Sequence, residues 1–304
     1  MVRKFETRTY PIHRVASYIN WLYFFHAWGF PARFGSVAKV HGCKACRAGW
    51  VATFPESERA RAREAIRLYD DACEMLNSLE GEYHTHARLL LVDAQSEGDD
   101  VVITLDGGHT ERLSFLRQQI AGKDGYCLCL SDFIRPATSG VVDAIGLFAS
   151  TVDSGVEEGE KDDDYRHLLR QTLADRLAEA TAECFHEEVR KTIWGYAPDE
   201  QFTADELFVE RYQGKRPAVG YPSLPDQSLN FQIGRLLDFP SLGITLTETG
   251  SMRPHGSTSG LMLAHPMCRH FSVGAISEEQ LMDYAKRKGV EAETLRPYIM
   301  GNLD

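Results

Sequence analysis

Hydrophobic positions recur along the chain first with a helical period, then in short strand-like runs. Ile12, Val15, Ile19 and Leu22 share one helical face, and Pro11 suits a first turn, so the pattern predicts an opening amphipathic helix over 10–28. A second helix is predicted over 55–79, where Ala62, Ile66, Tyr69, Cys73 and Leu76 form a stripe among arginines and glutamates. Runs at 88–94 and 101–105 read as strands around the turn-rich Ser96-Glu97-Gly98-Asp99-Asp100. Apolar runs at 126–130 and 141–151 read as further strands. The stretch 153–164 is almost wholly acidic residues and glycine, a solvated connector whose charge suits the start of the next helix. That helix is predicted over 164–193, with Leu169, Leu173, Leu177, Ala180 and Cys184 as its core stripe.

A Gly/Pro-rich passage at 214–225 then interrupts regular structure, and short strands are expected at 244–247, 260–263 and 271–276. The closing helix is the best marked: Ser277 with Gln280 makes a capping box, and Gly289 stops it. Strands come in runs and do not alternate with helices, which favours an α+β fold over a doubly wound sheet. Residues 1–304 read as one domain with no internal repeat.

Charge narrows the partners. With 33 basic and 44 acidic side chains the net charge is −11, which argues against nucleic acid and against an anionic membrane surface. No segment reaches the roughly 20 apolar residues of a membrane span, and the polar start carries no signal core. Seven cysteines spread through the chain do not resemble a secreted disulfide framework, so a reducing cytoplasm is expected.

The chemistry concentrates in Lys215-Arg216-Pro217-Ala218-Val219-Gly220-Tyr221-Pro222-Ser223-Leu224-Pro225. Three prolines fix backbone torsions and Gly220 permits a tight turn, so Arg216 and Tyr221 are presented on a stiffened loop. A guanidinium there matches a carboxylate, although composition alone favours a surface turn with Arg216 in a weak ion pair.

The same loop, Arg-Pro-Ala-Val-Gly-Tyr-Pro, resembles the signature of the activation domain of cobalamin-dependent methionine synthase. Ala174-Asp175-Arg176-Leu177-Ala178-Glu179-Ala180, Trp194-Gly195-Tyr196-Ala197-Pro198, Leu116-Arg117-Gln118-Gln119, Tyr126-Cys127-Leu128 and Ser131-Asp132-Phe133 are similar to stretches of that family, as are 252–266 and 284–289. The resemblance runs in order from about Tyr18 to the end.

It implies a curved, largely antiparallel sheet flanked by helices, and a part in methionine biosynthesis: S-adenosylmethionine as methyl donor, with an electron from a flavodoxin-type reductant, restores a methyltransferase whose cobalamin has fallen into the cob(II) state. The chain holds neither an Asp-x-His-x-x-Gly cobalamin signature nor a Cys-Gly-Gly-Cys-Cys motif. It is therefore expected to act in trans, as a component and not a complete enzyme, on a separate cobalamin-binding methionine synthase. By the resemblance, Arg216 meets the ligand's carboxylate and Glu179 its ammonium, while Asn20, Ala218, Gly220, Tyr221, His270 and Phe271 fall on other ligand-side positions. Periodicity alone would leave Glu179 as an exposed helix residue.

Several positions depart from the family pattern. Asn20 stands where aspartate is common, His270 where a tyrosine precedes Phe271, Leu224 and Gln227 where cysteine and histidine often follow the loop, and Arg253 is bulkier and more basic than expected. Weakened ligand affinity is the expectation. The alternative is a docking or chaperone module for the cobalamin protein that has weakened or lost the methyl donor. A third reading, a thiol redox protein, would use Cys43 and Cys46. Those two and His41 fall short of the four ligands that zinc usually takes, and ordinary helix or turn cysteines are the default. Lys286-Arg287-Lys288 is a candidate basic patch for an acidic reductant.

Overall fold

A computed structural model describes residues 2–122, 125–159 and 161–303. Strand β1 (Val2–Pro11) leads into α1 (Ile12–Ala16) and α2 (Trp21–Ala27), followed by α3 (Lys44–Ala52) and α4 (Arg59–Leu79). Strands β2 (His84–Glu97), β3 (Asp100–Thr104), β4 (Thr110–Ser114) and β5 (Asp143–Val152) precede α5 (Gly155–Glu158) and the long α6 (Asp164–Glu188). Then come α7 (Ala204–Phe208), α8 (Leu229–Leu237), β6 (Thr245–Leu246), β7 (Met252–Arg253), β8 (Ser257–Met262), α9 (Glu278–Lys288) and α10 (Ala292–Ile299).

The main sheet runs β4-β3-β2-β5-β8, with β1 beside the N-terminal part of β2, and every pairing is antiparallel. Its centre is buried on both faces, which is why Leu89-Leu90-Leu91-Val92 reads as an unbroken apolar run. Alternation still sorts the side chains. Leu89, Leu91, Ala144 and Phe148 pack under α6, whereas Leu90, Val92, Ile145 and Leu147 pack toward α8. Helices on both faces of an antiparallel sheet make this an α+β fold, as the strand runs suggested.

Several elements differ from the sequence reading. The predicted opening helix over 10–28 is the last two residues of β1 and two short helices, broken at 17–20, where Asn20 caps α2 by accepting the Leu22 N–H at 3.2 Å. β1 escaped notice because its residues 3–9 are largely solvent-facing and polar, leaving no apolar period. The run 126–130 forms no strand: Leu128 exchanges hydrogen bonds with the backbone N–H and the side chain of Gln118. The stretch 271–276 is also irregular, and β4, α8 and α10 were unforeseen; Pro297 inside α10 hides that helix.

The acidic connector contains the short α5, with Glu160 outside the described residues. In α9, Ser277 caps as expected, accepting the Gln280 N–H, and Gly289 adopts φ 70°. The side-chain amide of Gln280 donates to the Arg117 carbonyl, so only half of the capping box forms.

Candidate functional site

The site is built where α6 crosses the β8 edge of the sheet. The 215–219 segment adds itself to that edge as an antiparallel fringe. Lys215 and Leu263 exchange backbone hydrogen bonds at 2.9 Å, Leu261 N–H donates to the Pro217 carbonyl at 3.0 Å, and Val219 N–H donates to the Ser259 carbonyl at 2.9 Å. Pro217 can accept from the sheet but has no N–H to offer onward, a residue suited to an edge. Gly260 makes this close approach possible, since a Cβ there would sit 2.1 Å from the Pro217 carbonyl oxygen. Gly220, at φ 88°, then turns the chain so that its N–H donates to the Leu224 carbonyl at 2.8 Å.

The strand-like alternation of this fringe leaves Arg216 on the α6 side of the sheet. From α6 the facing residues are Arg176, Glu179, Ala180 and Glu183, a stripe spaced three and four apart. The cavity between them measures about 570 Å³, within the range of small-molecule sites. Asn20, Glu179, Arg216, Ala218, Tyr221, His270 and Phe271 all line it. Gly220 does not line it and serves the turn that positions Tyr221. Glu183 and Glu210 line it as well and were missed. The repeat of carboxylates at 179 and 183 was the available signal for the first. Glu210 is held at φ 51° just beyond α7, a conformation that no sequence pattern announces.

Charge inside the cavity is arranged in pairs. Arg216 donates from Nη1 and Nη2 to Glu183 Oε2, each at 3.2 Å, and Nη1 also lies 3.2 Å from His186 Nδ1. Burial pulls the Arg216 pKa down, but Glu183, Tyr212, Glu179 and Glu210 outweigh it and hold the guanidinium firmly charged. An arginine always donates, so His186 Nδ1 accepts and the proton sits on Nε2, which faces the Tyr196 hydroxyl at 3.4 Å. Burial, then the nearby Arg190, Arg216 and Lys215, keep His186 well below its ordinary pKa and neutral.

In the same cavity the Tyr221 hydroxyl donates to Glu179 Oε1 at 3.1 Å. That carboxylate, followed by burial, pushes the phenol up to about 12. His270 Nε2 lies 2.7 Å from Glu210 Oε2. Burial would raise the Glu210 pKa, but His270, Lys215 and Arg216 bring it below the ordinary range.

The floor is braced from below. After α6 the chain makes a π-helical turn, Val189–Ile193, which turns Arg190 inward until it is wholly buried. Arg190 donates to Glu200 at 2.8 Å, faces Glu183 Oε1 at 3.7 Å and stacks 3.8 Å over the Tyr212 ring. Charges therefore alternate from Arg216 through Glu183 and Arg190 to Glu200.

The family model of the vitamin B12 dependent methionine synthase activation domain matches residues 11–289. The chain belongs to that family. A crystal structure described as the MetH reactivation domain bound to AdoHcy is similar at 34% identity and a TM-score of 0.84, covering 99% of this chain and 90% of that one. The antiparallel sheet with its flanking helices is thus the activation-domain fold.

A larger cavity, about 850 Å³, adjoins the first and shares Asn20, Tyr23 and Phe208 with it. Its wall charges pair with one another, His13 with Glu80 at 2.8 Å and Lys39 with Asp205 at 2.7 Å, and among the described residues no arginine lines it. Size alone would select it, but the facing arginine and carboxylates select the smaller one.

Other sequence candidates are placed less favourably. Arg287 pairs with Asp283 and Asp100, and Lys288 with Asp226 at 2.6 Å, so two of the three residues of the basic patch are committed inward. Cys43 and Cys46 sit at the start of α3. The Cys46 N–H and then His41 draw the Cys43 thiol down to about 7, and the same sharing raises Cys46. Among the described residues no helix is long and apolar enough to cross a membrane.

Proposed function

We propose that the chain is a reactivation module that binds S-adenosylmethionine in the α6 cavity and presents it to the cobalamin of a separate methionine synthase. The observation that carries this reading is the gathering of Arg216 with Glu179, Glu183 and Glu210 around one cavity in a member of this family. The amino-acid end of the ligand is zwitterionic and the adjoining sulfonium is cationic. Arg216 offers a planar fork to the carboxylate, Glu179 faces the ammonium, and the acidic walls balance the sulfonium charge. Bound there, S-adenosylmethionine supplies the methyl group.

The chain's own part is orientation. The fringe pinned to β8 fixes Arg216, and the α6 stripe fixes Glu179, so the two ends of the ligand are gripped from opposite walls. Tyr221 and Ala218 line the loop side, which we assign to the approach of the cobalamin. The electron comes from a flavodoxin-type reductant in this scheme. One six-stranded sheet that takes in both β1 and β8 supports reading residues 1–304 as one module. Seven free cysteines suit a cytoplasmic setting.

A second reading, a docking module without a methyl donor, draws on Arg216 being partnered already by Glu183. The deciding experiment is reactivation in trans. A methionine synthase deprived of its own activation domain is allowed to fall into the cob(II) state. This chain, S-adenosylmethionine and a reductant are then added. Recovery of turnover that requires S-adenosylmethionine and is lost in Arg216→Ala supports the module. Recovery without S-adenosylmethionine, or undiminished in Arg216→Ala, overturns it in favour of docking.

A further inference from the structure

The segment His41-Gly42-Cys43-Lys44-Ala45-Cys46, where the chain enters α3, contributes no residue to the lining of the α6 cavity. Cys43 is the N-cap of that helix, and its sulfur accepts the Cys46 N–H at 3.3 Å. Cys46 occupies the third helical position, and helical Cβ atoms lean toward the N-terminus, so both sulfurs gather at the same end. His41 folds back over the turn, its Nδ1 accepting the Cys43 N–H at 3.3 Å. One ligand atom from each of the three residues lies within 4.8 Å of the other two, and both thiols are free and exposed.

The imidazole adds a third donor of a kind that thiophilic cations take alongside thiolates. Zinc takes sulfur at about 2.3 Å and imidazole nitrogen at about 2.0–2.1 Å, so the edges of its tetrahedron are roughly 3.4–3.8 Å. The three ligand atoms, all within 4.8 Å of one another, exceed that spacing by about an ångström at most before any ion arrives. Two sulfurs and one nitrogen select a thiophilic cation over magnesium or calcium, which take oxygen ligands. The pattern differs from a structural zinc site in lacking a second matched pair, so a fourth position stays open to solvent.

We propose that His41, Cys43 and Cys46 form a three-ligand site for a thiophilic divalent cation, zinc foremost, with water in the fourth position. The site is independent of the S-adenosylmethionine assignment.

Cobalt(II), added to the reduced full chain under anaerobic conditions, tests it. The expected result is a one-to-one complex with thiolate-to-cobalt charge-transfer absorption in the near ultraviolet and the intense visible bands of a tetrahedral ion, both abolished by one equivalent of zinc. The Cys43→Ser/Cys46→Ser variant should lose both features, and His41→Ala should weaken binding about tenfold or more. All three positions are exposed, so the melting temperature of the metal-free variants should match that of the parent. Absence of charge-transfer absorption in the parent overturns the site. So does its persistence in the double serine variant, which would place the ion on other cysteines.

Discussion

Arg216 and Glu183 face each other at 3.2 Å on the cavity floor, with both guanidinium amino groups directed at one carboxylate oxygen. The cation proposed to receive a ligand carboxylate is thus held in place by a carboxylate of the chain itself. Glu183 is in turn shared with Tyr212, whose hydroxyl donates to the same oxygen at 3.3 Å, and it faces the buried Arg190. Removing Glu183 leaves the buried Arg190 and the half-buried Arg216 without that anion. Glu183→Ala should therefore destabilise the fold by about 3–5 kcal/mol in chemical denaturation, and Glu183→Gln, which keeps an acceptor, by clearly less. Equal losses would mean that the charge of Glu183 has no structural role.

His186 makes stability depend on pH in a stated direction. It is neutral when folded and titrates near 6.5 when unfolded, so below that value the unfolded chain binds more protons. Its contribution is complete above about pH 6.5 and is lost as pH falls toward the lowered folded value, with a slope of at most about 1.4 kcal/mol per unit. His186→Asn keeps an acceptor for Arg216 and should flatten that part of the profile. Denaturation midpoints from pH 5 to 7.5 would show it, and an unchanged slope would remove His186 from the account.

Gly260→Ala tests whether the sheet edge builds the site. A methyl group there would sit 2.1 Å from the Pro217 carbonyl oxygen and cannot be accommodated without moving backbone. Destabilisation of about 1–3 kcal/mol is expected, together with a loss of S-adenosylmethionine affinity larger than that of a comparable surface substitution. Full affinity in a folded Gly260→Ala protein would show that the fringe is not what positions Arg216.

Asn20→Asp should be a gain of function. Asn20 already caps α2, and aspartate caps as well while adding charge at a favourable helix end. A carboxylate on that wall attracts a cationic ligand. S-adenosylmethionine should bind roughly fivefold tighter, about 1 kcal/mol at the effective dielectric of a partly solvated site. Calorimetry showing no gain would place the ligand's cationic groups away from Asn20.

Particular residues show what the sequence disclosed. The stripe Leu169, Leu173, Leu177, Ala180 and Cys184 is buried as expected, because α6 presses that face on the sheet and its neighbours. The same helix is covered on further sides, so burial extends beyond one stripe to Arg170, Thr181, Glu183 and His186. That is why a one-stripe reading left Glu179 in solvent and overlooked Glu183. In α4 the buried set is Ala62, Ala65, Leu68, Ala72, Met75 and Leu79, with Leu76, whereas Ile66, Tyr69 and Cys73 are only half-buried. Tyr69 and Cys73 border the larger cavity, so an apolar stripe marked a cavity wall as well as a core face. The Arg216–Tyr221 loop was legible as stiff. Its pairing with β8 was not, because the partner edge lies some forty residues on and depends on Gly260 lacking a side chain.

The central claim is that the α6 cavity grips S-adenosylmethionine through Arg216. Isothermal titration of S-adenosylmethionine into the chain and into Arg216→Ala tests it most directly. One saturable site, weakened by about 2–3 kcal/mol in Arg216→Ala, is the predicted result. Equal affinity in the two proteins, or no heat up to millimolar ligand with the cobalamin partner also present, would contradict it.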